Sequence, residues 1–471
     1  MNDLEKQLQE AAERHDVEKV RRLVGLATLQ MGEENTHRRL VAFLKKAGAS
    51  SATVGNVQFI LSNIGSMLDA KSSGASLCAA IMRGDTEAVR LLLVSGADVH
   101  ATDHFLRYSA LTLAAAEGHV PILNMLIDAG AVVNASDASG KTALMHAAQA
   151  GKTAAAACLL EHKANTEITA HPSGWTALLF AAAHGRTDCA RMLLEKGANI
   201  AARADDGSNA LQLASEYGHM EVIALLLQHG IDINSCDADG MSVLHAAIAG
   251  KHVAAIRFLI EQGANINAAD NSGETPLMLA ITVGAMGSAA DTMEILRLLL
   301  DAGADAGATL KDGETALMRA CMFCPDCIPL LLEHGANVNA SQYGFTTLMR
   351  AADAQNLRAV QLLLEHGADA NAACPSNAGE TALFFAVRQS HTDIARALLE
   401  HDADPNARNK RGTTPLMLAA KSGYADIARM LIEHGADVHA ADAKGKTALA
   451  HTPKKKHADI VQMLREAGAQ G

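Results

Sequence analysis

The chain has 471 residues, more than one compact core usually serves, so several domains or one extended array are expected. Apolar residues make up 49% but aromatic ones only 3%, which points to thin layers of small side chains rather than a conventional globular core. With 40 Lys and Arg against 52 Asp and Glu the net charge is −12, which argues against nucleic acid or an anionic membrane as the general partner.

The first six residues, Met1 to Lys6, hold no apolar signal core. The eight cysteines show no framework of the small secreted kind. No stretch approaches 18 uninterrupted apolar residues, so no membrane span is expected. Together these features place the chain in the reducing cytoplasm. Residues 1–71 are weakly patterned. Leu8, Ala11, Ala12, Val17, Val20 and Leu23 read as a degenerate half-repeat. Arg39 to Gly48 reads as a second helix and its close, and Val57 to Leu68 as a further amphipathic helix. The segment is expected to be an N-terminal helical cap with an insertion.

From residue 72 to 471 one phrase recurs, Gly-x-Thr-Ala/Pro-Leu-x-x-Ala-Ala. Its leucine falls at Leu77, Leu111, Leu144, Leu178, Leu211, Leu244, Leu277, Leu317, Leu348, Leu383, Leu416 and Leu449, twelve copies about 33 residues apart. Thr before Pro or Ala is an N-cap signal, and Leu with the Ala pair lies at i, i+3 and i+4 on one helix face. A turn, often Gly-His as at Gly218-His219, leads to a second helix with its own apolar triplet, for example Ile427, Met430 and Leu431. A closing phrase, Gly-Ala-Asp/Asn-x-Asn, ends that helix and opens a hairpin loop. Its Gly suits a left-handed C-cap, and Lys163 and Asp402 replace it in two copies.

Three places depart from the period. Gly284 to Asp291 is an insertion between the two helices of the seventh copy, expected as a surface loop. Cys321, Cys324 and Cys327 resemble part of a metal-binding loop, with His334 or Cys374 as a fourth ligand. The alternative is that Cys321 is a small core residue and that Cys324 and Cys327 belong to a compressed turn. In the last copy Thr452-Pro453 and the lysines 454–456 replace the Ala pair, which reads as a polar C-terminal cap. From Arg408 onward the local charge is +5.

These phrases resemble the ankyrin repeat family, whose units pair a β-turn with two antiparallel helices. The resemblance covers about residues 72–471. It implies an all-α, elongated solenoid of helix-turn-helix units joined by β-hairpin loops. It also implies that partners are bound through hairpin tips and the inner faces of the first helices. Tip positions in this chain are Phe105, Arg107, Trp175, Tyr343, Phe345, Lys410 and Arg411. Inner-helix positions after the Ala pair include His184, Tyr217, Met322, Phe323, Arg388 and Gln389. Phe323 is expected one unit back from Tyr343 and Phe345 on the same face.

The expected function is a non-catalytic cytoplasmic scaffold or adaptor, monomeric, with other proteins as partners and no cofactor. No phosphate-binding glycine loop, Gly-x-Ser-x-Gly or His-Glu-x-x-His is present in the sequence. One rival is a metal- or redox-responsive regulator built on Cys321, Cys324 and Cys327. Another is a targeting subunit with an activity in residues 1–71.

Overall fold

The computed structural model describes residues 73–94, 96–102, 108–284, 288–453 and 455–470. The N-terminal cap expected in residues 1–71 therefore lies outside the described residues. The chain forms two compact units, Met1–Asp232 and Ile233–Gly471. The first unit holds the helix pairs Ser73–Met82 with Thr86–Val94, Ala110–Glu117 with Val120–Asp128, Ala143–Ala150 with Thr153–Glu161, Ala177–Ala183 with Thr187–Glu195, and Ala210–Glu216 with Met220–Gln228. The second unit holds seven further pairs at the same period, from Val243–Ala249 to Ala458–Glu466.

Most of the described first helices begin where a Thr, Ser or Asn side chain caps them. The Thr346 hydroxyl accepts from Met349 N–H at 3.2 Å, and the Asn209 side chain accepts from Gln212 N–H at 2.9 Å. The first helices are buried nearly all round, as at Ala143 to Ala148, because small side chains let both neighbouring repeats approach. The second helices bury one stripe only, as with Cys189, Ala190 and Leu193. Several end in a histidine whose Nδ1–H donates to the carbonyl four residues back, for example His229 to Leu225 and His366 to Leu362. Because a carbonyl only accepts, this bond fixes the tautomer of the ring. Lys163 and Asp402 adopt the left-handed conformation at φ 63° and 61°, as the closing glycines do elsewhere.

The Asn of the closing phrase ties successive repeats together. In the first unit Asn165 N–H donates to Asn134 Oδ1 at 2.8 Å. In the second unit Asn339 Oδ1 accepts from Asp369 N–H at 2.8 Å, and Asn371 Oδ1 accepts from Asp404 N–H at 2.7 Å. The amide of Asn371 also donates to Asp402 O at 2.9 Å. Each such bond contributes about 1 kcal/mol net, and losing one partner strands a backbone group. The turns between helices pack just as closely. A Cβ on Gly185 would lie 2.6 Å from the His219 ring, and φ 66° already favours glycine there.

The hairpins are held by Asx turns and by their neighbours. Asn409 Oδ1 accepts from Arg411 N–H and Thr413 N–H, both at 3.0 Å. Lys410 N–H donates to Ala378 O at 2.7 Å, and Ala443 N–H donates to Arg411 O at 3.0 Å. Only Ser341–Gln342 and Phe345–Thr346 form a two-stranded ladder among the described residues; the other paired hairpins have single bridges.

Part of the expected surface loop at Gly284 to Asp291 is helix instead. The second helix of that repeat runs Ala289–Asp301, 13 residues, starting at the Ser288 N-cap, so the insertion lengthens it at its N-terminal end. Residues 285–287 lie outside the described set. In the last repeat the first helix is only Ala448–His451 and gives way to extended backbone at Thr452, the conformation that a following Pro favours.

Candidate protein-binding face

At the tips around Trp175 and Phe345, hairpin side chains reach those of the first helices. Trp175, at a tip of the first unit, is half-buried and packs edge-on against Phe180 with ring centroids 5.1 Å apart. Lys141 lies over the Phe180 ring at 4.8 Å and donates to Gln149 Oε1 at 3.2 Å. Gln149 in turn reaches His184 at 3.3 Å. Trp175 and His184 are therefore joined through Phe180, a residue the sequence reading did not single out. Tyr217 is 48% exposed and stacks beside His219.

In the second unit Phe345 meets Phe385 edge-on, centroids 5.0 Å apart. Arg350 lies 5.7 Å over the Phe345 ring and Arg388 5.5 Å over Phe385. The Arg350 Nε is buried without a hydrogen bond, while another nitrogen of the same guanidinium donates to Gln342 Oε1 and the group lies over the electron-rich ring face. Arg388 pairs with Glu380, which also accepts from Asn409 at 3.3 Å. One repeat pair earlier, Arg319 bridges Glu274 and Glu314. Burial opposes the Arg319 charge, yet its bonds to the two carboxylates hold its pKa above the ordinary arginine value.

Phe345 and Arg388 are thus brought together, again through an unnamed phenylalanine. Met322, Phe323 and Tyr343 are exposed, Tyr343 by 75%. No ring contact joins Phe323 to Tyr343 or Phe345 among the described residues. Gln389, Lys410 and Arg411 are exposed as well. Phe105 and Arg107 lie outside the described residues.

Phe180, Arg319, Arg350 and Phe385 all occupy the second position after the repeat leucine. The positions expected from the sequence lie instead at the helix ends beyond the Ala pair. The signal was available: six of the twelve repeats carry Leu or Ala at this position, and the other six carry Phe, Arg or His.

The cysteines resolve differently from a metal loop. Cys321 is fully buried, and burial pushes its thiol up to about 12. Cys324 and Cys327 are joined by a disulfide, with Cα atoms 5.6 Å apart. This is one local bond across a compressed turn, not a framework. His334 donates to Leu330 O instead, and Cys374 is buried beside Ser376. Among the described residues no group of three His, Cys, Asp or Glu is placed to hold a metal ion.

One contact has the outline of a nucleophile and base, Ser242 Oγ to His245 Nδ1 at 2.8 Å. Ser242 is the N-cap of its helix, and His245 Nε2–H donates to Glu274 O at 3.1 Å. Both residues are buried, which leaves a substrate no approach. The pair is a cap that spans two repeats.

The family described as ankyrin repeats (3 copies) matches residues 77–170, 163–237, 231–287, 285–374, 371–442 and 403–471. The chain belongs to the ankyrin repeat family. Its all-α helix-turn-helix units and connecting hairpins are those of ankyrin repeats, which in general mediate protein–protein interaction. A solved structure described as the ankyrin repeat domain of Bcl-3, a unique member of the IkappaB protein family, is 30% identical to this ankyrin chain. It covers 48% of this chain and 99% of that one, with a TM-score of 0.43. No curated protein sequence matches significantly. Among the described residues no helix is long and apolar enough to cross a membrane.

Proposed function

We propose that this ankyrin repeat protein is a non-catalytic scaffold or adaptor that holds partner proteins on its hairpin tips and first-helix faces. The supporting observation is that the clusters around Phe180 and Phe385 are each built from hairpin and first-helix side chains of adjacent repeats, with cations stacked on the rings. Tyr343, Phe323 and Met322 stand exposed in the second unit, and large apolar side chains of this kind anchor interfaces when a partner covers them. The reading places the protein in the cytoplasm as a monomer. Six of the eight cysteines are outside any disulfide, which suits a reducing compartment.

The test is affinity capture from source-cell lysate with wild type and a Phe323→Ala, Tyr343→Ala variant that retains its helical circular dichroism. A partner held by wild type and lost by the variant is the expected result. Failure of wild type to retain any protein above background sinks the reading.

A further inference from the structure

We infer that the tips and first helices of the last two repeats form a docking surface for an extended acidic polypeptide segment of a partner protein. The inference rests on the scaffold reading and names the chemistry of the partner.

The observation is a segregation of charge between the two sides of these repeats. The second helices Ala425–Glu433 and Ala458–Glu466 each carry two carboxylates and one arginine. On the tips, first helices and inter-helix turns the balance reverses. Lys410, Arg411, Lys421, Lys444, Lys446 and Lys455 are all exposed there. None of them forms an ion pair with a described residue.

The two carboxylates on that side, Glu380 of the preceding repeat and Asp442, are already engaged. Glu380 is buried, paired with Arg388 and bonded to Asn409. Asp442 accepts from the Lys446 and Lys444 N–H groups at 2.9 and 2.8 Å and from His451 at 2.9 Å. What faces outward is therefore positive. Asp402, Asp404 and Asp437 lie back from the tips, in the loops that close the second helices.

The bonds from Lys410 N–H to Ala378 O and from Ala443 N–H to Arg411 O lock successive tips to one another. The basic residues are thus held one repeat apart, roughly 10 Å, the spacing of packed helices. An extended peptide advances about 3.3 Å per residue, so carboxylates about every third residue would meet successive repeats.

Two other classes of anion fit less well. Single-stranded nucleic acid needs aromatic platforms between its basic contacts, and no exposed large aromatic lies beyond Tyr343 among the described residues. An anionic membrane needs apolar side chains beside the basic ones, and no exposed large hydrophobic lies in this stretch either.

The experiment uses the full chain and fluorescence anisotropy. The probe is a labelled peptide of about 15 residues with Glu at every third position. Controls are a peptide of the same composition with its Glu residues in one block, a single-stranded oligonucleotide of equal charge, and phosphatidylserine vesicles. The variant is Lys410→Glu, Arg411→Glu, Lys444→Glu, Lys446→Glu, all at exposed tips, checked by circular dichroism.

The spaced peptide is expected to bind wild type more tightly than any control, with affinity falling as salt rises. The variant is expected to lose about tenfold or more. Equal binding by the variant, tighter binding of the oligonucleotide or the vesicles, or no binding at low salt each overturns the inference. So does self-association of the chain that the same substitutions abolish, because the occupant is then a second copy. Failure of the spaced peptide to bind while wild type still captures a lysate partner sinks this inference and leaves the scaffold reading standing.

Discussion

The two units put aromatic side chains at equivalent places and use them differently. In Met1–Asp232 the tip residue Trp175 turns inward onto Phe180, with Lys141 closing over the ring. In Ile233–Gly471 Phe345 turns inward onto Phe385, but Tyr343, two residues earlier, stays out at 75% exposure. Tyr343 sits at φ 53°, a left-handed backbone that a tyrosine adopts at a cost. The charges differ as well. Around Tyr217 the same side of the first unit carries Asp206 and Glu216, and burial together with the Asp206 charge pushes the Glu216 carboxyl up. The final repeats of the second unit are basic there. Stacking fixes only the buried positions, so one backbone plan carries opposite surfaces.

The largest expected effect separates packed rings from exposed ones. Phe180→Ala removes a buried ring and the partner of Trp175, at a cost of about 3–5 kcal/mol. Trp175 is the single tryptophan, so its fluorescence during urea unfolding reports the first unit directly. Tyr343→Ala is expected to change stability by no more than about 0.5 kcal/mol. If Tyr343→Ala lowers the midpoint as far as Phe180→Ala does, the contrast between the units fails.

Next in size is the ion network of the second unit. Arg319→Ala leaves Glu274 and Glu314 facing each other in a largely buried site and is expected to cost about 3 kcal/mol. Arg388→Ala is expected to cost less, because the Arg388 side chain is 43% exposed. Equal losses in parallel urea titrations would contradict the assigned difference in burial.

A smaller effect lies at the base of the hairpins. Burial alone would raise the Asp137 carboxyl, but the hydrogen bonds from His146 and Ser139 and the His146 charge outweigh it and hold it at about 2. Asp442 is likewise held at about 2, first by the Lys446 N–H and then by the His451 ring. Each folded value lies below the unfolded 3.8, so the stabilisation is complete above that pH and is lost as pH falls toward 2. Thermal melts across that window should show the loss, and Asp137→Asn should flatten its share. A melt that is flat over the same range in wild type would remove these two groups as the cause.

The smallest expected effect concerns thiols. In non-reduced protein, alkylation read by mass spectrometry should reach Cys236 first, because the other cysteines outside the disulfide are buried. Cys324 and Cys327 should react only after reduction. Early modification of Cys324 would mean the bond is open in solution.

Much of the fold is legible in the sequence because period and burial coincide. Leu144 and the alanines 147 and 148 are spaced for a helix face and are buried together. The site is less legible. A tip residue is easy to find by counting from Gly-x-Thr, yet whether it turns in or out depends on the residue two beyond the leucine of its own repeat or of the following one. Trp175 is taken up by Phe180, and Phe345 by Phe385 of the following repeat. The disulfide was hidden for a different reason. Every other described turn between a first and second helix, except at the insertion and the last repeat, has a left-handed residue such as Gly218 or Gln355. The turn at Cys324 has none, and the loss of that residue brings the two sulfurs together.

The asparagine bridges set a rule for what can be cut from or spliced into this chain. Asn267 still reaches Asp305 N–H at 2.8 Å although the inserted residues of the seventh repeat lie between them. In the seventh repeat the extra residues are absorbed between its two helices, away from the hairpin loops. The same number placed in a hairpin loop would move one amide out of the slot that its neighbour's backbone offers. Inside either unit, then, removal of a whole repeat rejoins like with like, while removal of a few residues more or fewer leaves two edges that no longer mate.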